Sequence, residues 1–188
     1  MARLKGFQKL TPVDEALYTL QSRVQIRKLE TVTVPLRSAL NRVLAKDIVA
    51  ERDLPRFDRS AVDGYAVRAE DTFEASRFKP KTLSITQSRK VINKRAKPVW
   101  TGNAIPKGAD AVIMLENTKR VNDRIEVGSP LTPKENISKK GEDVAQGQVA
   151  VSAGVRLKPH HLGLIAALGI AEVNVVEKPK IAILATGD

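Results

Sequence analysis

Residues 119–127 have the sequence KRVNDRIEV, which is the clearest indication of the fold. Apolar and polar residues alternate on both sides of Asn122-Asp123, a pair that favours the tight turn of a β-hairpin. Similar short apolar runs occur at 83–88 (LSITQS) and 111–115 (AVIML). Proline and glycine separate these runs from about residue 52 onwards, as is typical of small all-β units. The sequence therefore predicts a β unit over residues 52–136.

The flanking segments predict a few helices and further strands. Val13, Leu17 and Leu20 share one helix face, so a helix is expected from an N-cap at Thr11 to about Gln25. ETVTVPL (30–36), LAKDIVA (44–50) and IAEVNVV (170–176) favour strands, and PHHLGLIAALG (159–169) favours a helix that ends at Gly169. The expected fold class is mostly β with a few helices (α+β).

The last residues, KIAILATGD (180–188), join an apolar run to Thr-Gly-Asp. Such a run is typical of a parallel strand covered on both faces, and a small polar turn after it usually leads into a helix. We therefore expect residues 179–188 to be the first strand of an α/β domain whose remainder is missing. The alternative is a strand added to the β unit.

Composition excludes several classes of function. The 188 residues contain no cysteine, so disulfides, thiolate metal sites and a cysteine nucleophile are impossible. No apolar run is long enough for a membrane span, and the N-terminus lacks the apolar stretch of a secretory signal, so a cytoplasmic protein without membrane contact is expected.

The net charge is +11, and residues 77–97 contain many basic side chains and no acid. This segment is either a solvated hairpin face or a surface that attracts anions. Aromatic residues are few and do not form a stacking pattern within it, so nucleic-acid binding is not expected.

The stretch LPRFDRSAVDGYAVR (54–68) contains the candidate functional carboxylates. Asp63 precedes Gly64, which permits a left-handed turn or a close backbone approach. Asp63 is the first candidate to hold a divalent ion or orient a water, and a turn-capping carboxylate is the alternative. Asp58 is expected to be structural, and Ser60 either contacts a phosphate or caps the turn.

Further candidates lie in the loop TGNAIPKGAD (101–110) and beyond it. Thr101 and Gly102 offer a hydroxyl and an unobstructed N–H to an oxyanion. Glu116 either faces the same cleft as Asp63 and Thr101, if these residues line one, or is an exposed strand-end acid.

Two other motifs, an acidic turn and a pair of histidines, are expected to have structural roles. The acidic turn 141–143 is expected to be structural, with Asp143 bonded to backbone. Adjacent histidines, His160 and His161, should point in different directions and not chelate a metal.

Four blocks of the sequence resemble the N-terminal half of the molybdopterin molybdenumtransferases, the MoeA family, which includes the gephyrin E domain. They are LPRFDRSAVDGYAVRAEDT (54–72), TGNAIPKGADAVIMLENT (101–118), NISKKGEDV (136–144) and the whole of 151–188. The resemblance implies insertion of molybdenum, or tungsten, from molybdate into molybdopterin-AMP with release of AMP, assisted by Mg²⁺ or another divalent ion. It also implies an elongated homodimer with a molybdopterin adenylyltransferase as upstream partner.

The same resemblance suggests domain boundaries and roles. It implies a discontinuous dimerisation domain (1–51 and 137–178), an inserted β domain (52–136) and the start of the pterin-binding domain (179–188). Asp63 would be catalytic and a tentative metal ligand, in a cleft completed by the pterin domain of the other subunit, with Ser60, Thr101, Gly102 and Glu116 as substrate contacts. The fragment alone would be inactive, and a gephyrin-type scaffold is the alternative function.

The sequence departs from the family pattern at two positions. Arg59 stands where relatives often have Asn, and Ser138 stands where they often have Arg. The first departure makes the charge near Asp63 less negative, and the second puts an anion contact from the 138 loop in doubt.

Overall fold

The computed structural model describes residues 11–24, 28–181 and 183. Within these residues, two α-helices, α1 (Val13–Arg23) and α2 (Pro159–Ala167), accompany many short strands, so the expected fold class is confirmed. The strands are β1 (Thr31–Pro35), β2 (Ile48–Val49), β3 (Arg59–Ser60), β4 (Gly64–Val67), β5 (Lys81–Ile85), β6 (Arg95–Val99), β7 (Ala111–Met114), β8 (Thr118–Val121), β9 (Arg124–Val127), β10 (Ile137–Ser138), β11 (Val149–Val151) and β12 (Glu172–Val176).

A six-stranded sheet in the order β7-β4-β6-β5-β9-β8 forms the centre of the chain. The hairpin predicted at Asn122-Asp123 is confirmed, because β8 and β9 pair antiparallel with Val121 opposite Arg124. Asn122 adopts φ 53°, the left-handed conformation that such a tight turn requires. β5 and β6 are the parallel neighbours within this sheet.

The sheet is covered on one face by its own core. The buried residues there all lie between positions 65 and 131: Tyr65, Val67, Ala69, Ala75, Leu83, Ala96, Ala111, Ile113, Ile125, Val127 and Leu131. On the other face, Ala66, Val99 and Val112 are buried beneath Val62, Ile105, Ala109 and Ile137. Within the described residues, that second cover packs on the β4, β6 and β7 side of the sheet.

A second core is built from both ends of the described chain. β1 pairs with β12, and β2 pairs with β11, so segments a hundred or more residues apart are neighbours. The buried residues are Ala39, Leu44, Ile48, Ala50, Val144, Val151, Leu157, Ile165, Leu168, Val173 and Val175. The proposed domain boundaries (1–51 with 137–178, and 52–136) remain a prediction.

Helix α1 lies apart from both cores. None of its residues is buried, and the apolar side chains of Val13, Leu17 and Leu20 are exposed. The predicted N-cap at Thr11 is wrong, because Pro12 occupies that position with φ −56° and ψ 148°, an extended conformation. The helix ends at Arg23, two residues before the predicted limit.

The predicted strand at 179–188 lies largely outside the described residues. Positions 179–181 and 183, which the structure does describe, belong to no strand. Within the described residues, no helix has the length and apolar character that a membrane span requires.

Candidate functional site

Asp63 and Thr101 meet at one edge of the six-stranded sheet. β4 and β6 pair antiparallel with Gly64 opposite Val99, which places the residue before β4 beside the turn after β6. The Asp63 Oδ1 atom accepts the Thr101 N–H and the Thr101 hydroxyl, both at 2.7 Å. Both residues are exposed. We call this arrangement the Asp63–Thr101 pair.

The pair keeps Asp63 ionised. The Thr101 N–H is the largest cause that lowers the pKa of Asp63, and the Thr101 hydroxyl adds to it, while a smaller loss of solvation opposes both. Hydrogen bonds to a carboxylate favour its charged form. Both bonds go to Oδ1, and no hydrogen bond to Oδ2 is found among the described residues, so Oδ2 can accept a hydrogen bond from a ligand or coordinate one.

Gly64 holds Asp63 in place through a close backbone approach. A Cβ atom added at Gly64 would lie 1.9 Å from the Ile113 carbonyl oxygen. Gly64 is not among the residues with positive φ, so the left-handed turn considered from the sequence does not occur here. The glycine is required because β4 and β7 run too close together at this point for a side chain.

The turn after β6 is shaped by its own hydrogen bonds. Asn103 N–H donates to the Trp100 carbonyl (2.9 Å), and its side-chain oxygen accepts the Trp100 N–H (3.2 Å). Gly102 takes φ +85° and donates its N–H to the Ser60 carbonyl at 2.8 Å. The Gly102 N–H suggested for an oxyanion is therefore already engaged in this structure.

Ser60 lies next to the turn after β6, where its carbonyl accepts the Gly102 N–H. Its side chain is buried, and its hydroxyl donates to the Val62 carbonyl at 2.5 Å. Of the two roles left open for Ser60, the structure shows the turn cap. A contact with substrate at this position stays a prediction.

Glu116 follows a residue that bonds to Asp63, but it lines a depression that does not include the pair. Leu115 N–H donates to the Asp63 carbonyl at 3.1 Å, which brings the following residue close. The exposed Glu116, however, lines a separate depression of about 460 Å³ together with Arg77, Lys119 and Glu126. Its role as a substrate contact also stays a prediction.

Asp58 has a structural role, as the sequence analysis expected. Its Oδ1 accepts the Lys140 N–H at 2.8 Å, and its carbonyl accepts the Ile105 N–H at 3.0 Å. Asp53, which no sequence pattern singled out, makes two similar contacts: Oδ1 accepts the Gln146 N–H at 2.8 Å and Oδ2 lies 3.3 Å from the Lys140 Nζ. No local pattern signals the contacts of these two carboxylates, because their partners lie more than eighty residues away.

The acidic turn 141–143 is organised differently from the prediction. Glu142, not Asp143, bonds to backbone, with Oε2 accepting the Lys139 N–H at 2.9 Å. A hydrogen bond with Ser138, the first cause, lowers the pKa of Glu142. Asp143 pairs instead with Arg59 at 3.4 Å, because β3 and β10 set Arg59 opposite Ser138. The two positions that depart from the family pattern therefore both contact this turn.

The two adjacent histidines do not diverge, so that prediction is wrong. Their rings lie 4.1 Å apart, and the two Nε2 atoms are separated by 3.1 Å. The reason is that His161 turns back at the start of α2, where its Nδ1 accepts the Lys158 N–H at 3.1 Å.

The Asp63–Thr101 pair is the candidate ligand group for a divalent ion among the described residues. Carboxylate and hydroxyl oxygens suit hard cations, and the Asp63–Thr101 pair offers both. Nowhere in the described ranges do three or more His, Asp or Glu side chains gather as a metal site. The pair therefore fits one part of a metal site, and Mg²⁺ binding by Asp63 stays a prediction.

Comparison with known proteins agrees with this architecture. The MoeA N-terminal region, comprising domains I and II, matches residues 11–169. The chain belongs to the MoeA family. The Bacillus subtilis molybdopterin molybdenumtransferase is 40% identical over 188 residues, covering 94% of this chain and 43% of that protein. The enzyme of the same name from Staphylococcus aureus MSSA476 is 38% identical over 184 residues, with the same two coverages of 94% and 43%.

Solved structures of this MoeA family show the same fold. The crystal structure of a molybdopterin biosynthesis MoeA protein from Pyrococcus horikoshii OT3 aligns with a TM-score of 0.79 and 46% identity. The alignment covers 91% of this chain and 47% of that one. The chain thus spans less than half the length of each of these three relatives.

Proposed function

We propose that the full-length protein acts in molybdenum cofactor biosynthesis, inserting molybdenum from molybdate into adenylylated molybdopterin with release of AMP. The family assignment and the names of the B. subtilis and S. aureus relatives support this reaction. The observation that carries it is the exposed Asp63–Thr101 pair, a carboxylate held ionised at a sheet edge. Tungsten is an alternative metal substrate.

The lowered pKa defines what Asp63 contributes. An efficient general base has a pKa near the working pH, whereas Asp63 holds its proton less readily than an ordinary aspartate. Asp63 therefore serves to orient, through Oδ2, the water that attacks a phosphorus of the phosphoanhydride. The water oxygen bonds to that phosphorus, the bond between that phosphorus and the bridging oxygen breaks, AMP leaves, and the proton of the water passes to solvent. A divalent ion held by Asp63 and the Thr101 hydroxyl would neutralise phosphate charge.

The described residues form one side of the proposed substrate cleft. The pair is exposed, so we infer that a pterin-binding domain from a partner subunit completes the cleft in a homodimer. A molybdopterin adenylyltransferase in the same compartment, the cytoplasm, would supply the substrate. On this proposal residues 1–188 alone do not catalyse the reaction.

The test compares the full-length protein with residues 1–188 in an assay of AMP release from adenylylated molybdopterin. The full-length protein should release AMP only when molybdate is present, and the shorter chain should release none. Molybdate-independent release by the full-length protein, or turnover by residues 1–188, would contradict the proposal.

A further inference from the structure

The single tryptophan of the 188 residues stands beside the Asp63–Thr101 pair with most of its surface exposed. Trp100 directly follows β6 and is 58% exposed. Tryptophan side chains are on average largely buried in folded proteins, so this exposure needs a reason. Among the described residues, the aromatic rings in contact are those of His160 and His161, so no ring of that part of the chain covers the indole.

The strand register sets Trp100 next to Asp63. Gly64, the first residue of β4, is opposite Val99, the last residue of β6. One step further along this antiparallel register, Asp63 comes opposite Trp100. The Asp63 carbonyl accepts the Leu115 N–H at 3.1 Å and so points away from β6. Asp63 and Trp100 therefore form a position of the non-hydrogen-bonded kind, in which the Cα atoms are about 4.5 Å apart and the side chains are close.

The backbone of Trp100 is held by the turn that follows it. Its N–H donates to the Asn103 side-chain oxygen at 3.2 Å, and its carbonyl accepts the Asn103 N–H at 2.9 Å. The next residue, Thr101, is fixed to Asp63 by two hydrogen bonds of 2.7 Å. A group whose backbone is already ordered loses less freedom when a ligand binds to it. The indole is therefore pre-positioned beside the carboxylate.

The surroundings of the indole determine the chemistry of its occupant. An apolar protein surface laid over Trp100 would also bury the ionised Asp63, and burial of an unpaired charge is costly. The occupant must therefore carry a flat apolar ring next to a polar group. Planar heteroaromatic rings stack on tryptophan without needing a particular pattern of hydrogen-bonding groups. Adenylylated molybdopterin has such a ring on each side of its phosphoanhydride, the pterin on one side and the adenine on the other.

We propose that Trp100 stacks on a planar heteroaromatic ring of the adenylylated pterin, either the pterin or the adenine, and so holds the phosphoanhydride beside Asp63. This inference rests on the proposed function, because that function supplies the substrate. Trp100 is then a substrate-binding residue, and Asp63 acts on the anhydride that the stacked ring positions.

Equilibrium dialysis of the full-length protein with three probes tests the ring contact. AMP carries the adenine, hydroxymethylpterin carries the pterin, and ribose phosphate carries neither ring. Trp100→Leu should weaken binding of at least one ring-bearing probe by about tenfold or more and leave binding of ribose phosphate unchanged. Trp100→Phe keeps a smaller ring and should weaken binding less. The matched variant Phe78→Leu removes a fully exposed ring elsewhere and should bind like the wild type.

Molybdate-dependent AMP release from adenylylated molybdopterin gives a second readout. Trp100→Leu should raise the KM of this substrate by about tenfold or more, with a smaller change in kcat, because the stacking contact is present before and during bond breaking. Phe78→Leu should keep the wild-type values of both constants.

The two readouts separate the possible failures. Weaker binding of AMP identifies the adenine, and weaker binding of hydroxymethylpterin identifies the pterin. Equal binding of both ring probes by the wild type and Trp100→Leu, or an equal loss of ribose phosphate, would overturn the proposal.

Some outcomes concern the wild type alone. If it binds neither ring probe, an unchanged KM in Trp100→Leu would overturn the stacking contact. If it releases no AMP, the proposed function fails, and the dialysis comparison alone decides whether Trp100 binds a ring. A wild type that binds neither ring probe and releases no AMP would overturn both proposals.

Discussion

At the residue scale, two donors from Thr101 converge on one oxygen of Asp63. The backbone N–H is the larger cause of the lowered pKa, and the hydroxyl is the smaller. Thr101→Val removes the hydroxyl and keeps the N–H, so the pKa of Asp63 should rise without reaching its ordinary value. Carboxyl-carbon NMR titration measures this directly. Thr101→Ser retains both donors and is the control; an unchanged pKa in Thr101→Val would show that the hydroxyl does not act on Asp63.

A glycine-to-alanine substitution can be compared at two positions with different surroundings, Gly64 and Gly163. An added Cβ at Gly64 would collide with the Ile113 carbonyl, whereas at Gly163, inside α2, nothing lies within 4 Å. Gly64→Ala should destabilise the protein by about 1–3 kcal/mol or more. Gly163→Ala should stabilise it by about 0.5–1 kcal/mol, because alanine loses less backbone entropy in a helix. Urea unfolding of both variants checks the contrast, and equal effects would refute the close approach at Gly64.

At the element scale, the histidine pair makes the start of α2 sensitive to acid. Desolvation is the first cause that lowers the pKa of His161 below 6.5, and the charges of His160 and Lys158 add to it. The unfolded chain therefore binds this proton more tightly than the folded chain does. The contribution of His161 to stability is complete above pH 6.5 and is lost as the pH falls below that value.

His161→Asn should consequently make the loss of stability between about pH 7 and pH 5 shallower than in the wild type. Urea midpoints measured across this range provide the test. In His160→Asn, the pKa of His161 should rise, since one of the charges that lowers it is removed. An identical pH profile for wild type and His161→Asn would rule out this role.

Helix α1 and the segment that leads into α2 differ in what they contribute to the cores. Leu17 in α1 is 50% exposed, whereas Leu157, just before α2, is fully buried. Leu17→Ala should change the free energy of unfolding by no more than about 0.5 kcal/mol, and Leu157→Ala should lower it by about 2–5 kcal/mol. Chemical denaturation of residues 1–188 measures the free energy of unfolding of both variants. A large decrease of this free energy in Leu17→Ala would mean that α1 packs against another part of the chain.

At the scale of the whole molecule, the two cores draw on separate stretches of chain. The sheet core uses residues 65–131, and the other core uses residues on both sides of that range. Residues 58–138 produced alone should therefore fold cooperatively and keep the β8–β9 hairpin. Circular dichroism and amide exchange can show this, and a chain without protected amides would contradict the predicted separation into domains.

Elements defined by local patterns were predictable from the sequence, whereas contacts between distant segments were not. The Asn122-Asp123 turn and the stop at Gly169 depend on nearby residues, and both occur as expected. The pairing of Asp63 with Thr101 depends on the register of β4 with β6, which no local pattern reveals. The meeting of the histidine rings depends on a side chain turning back to cap its own helix.

The most direct test of the central claim, that the Asp63–Thr101 pair forms part of the active site, is molybdate-dependent AMP release by the full-length Asp63→Asn protein. Loss of the carboxylate charge should lower the rate by about a hundredfold or more. The matched variant Asp123→Asn, an exposed aspartate in the β8–β9 turn, should retain the wild-type rate. A folded Asp63→Asn protein that releases AMP as fast as Asp123→Asn would contradict the claim.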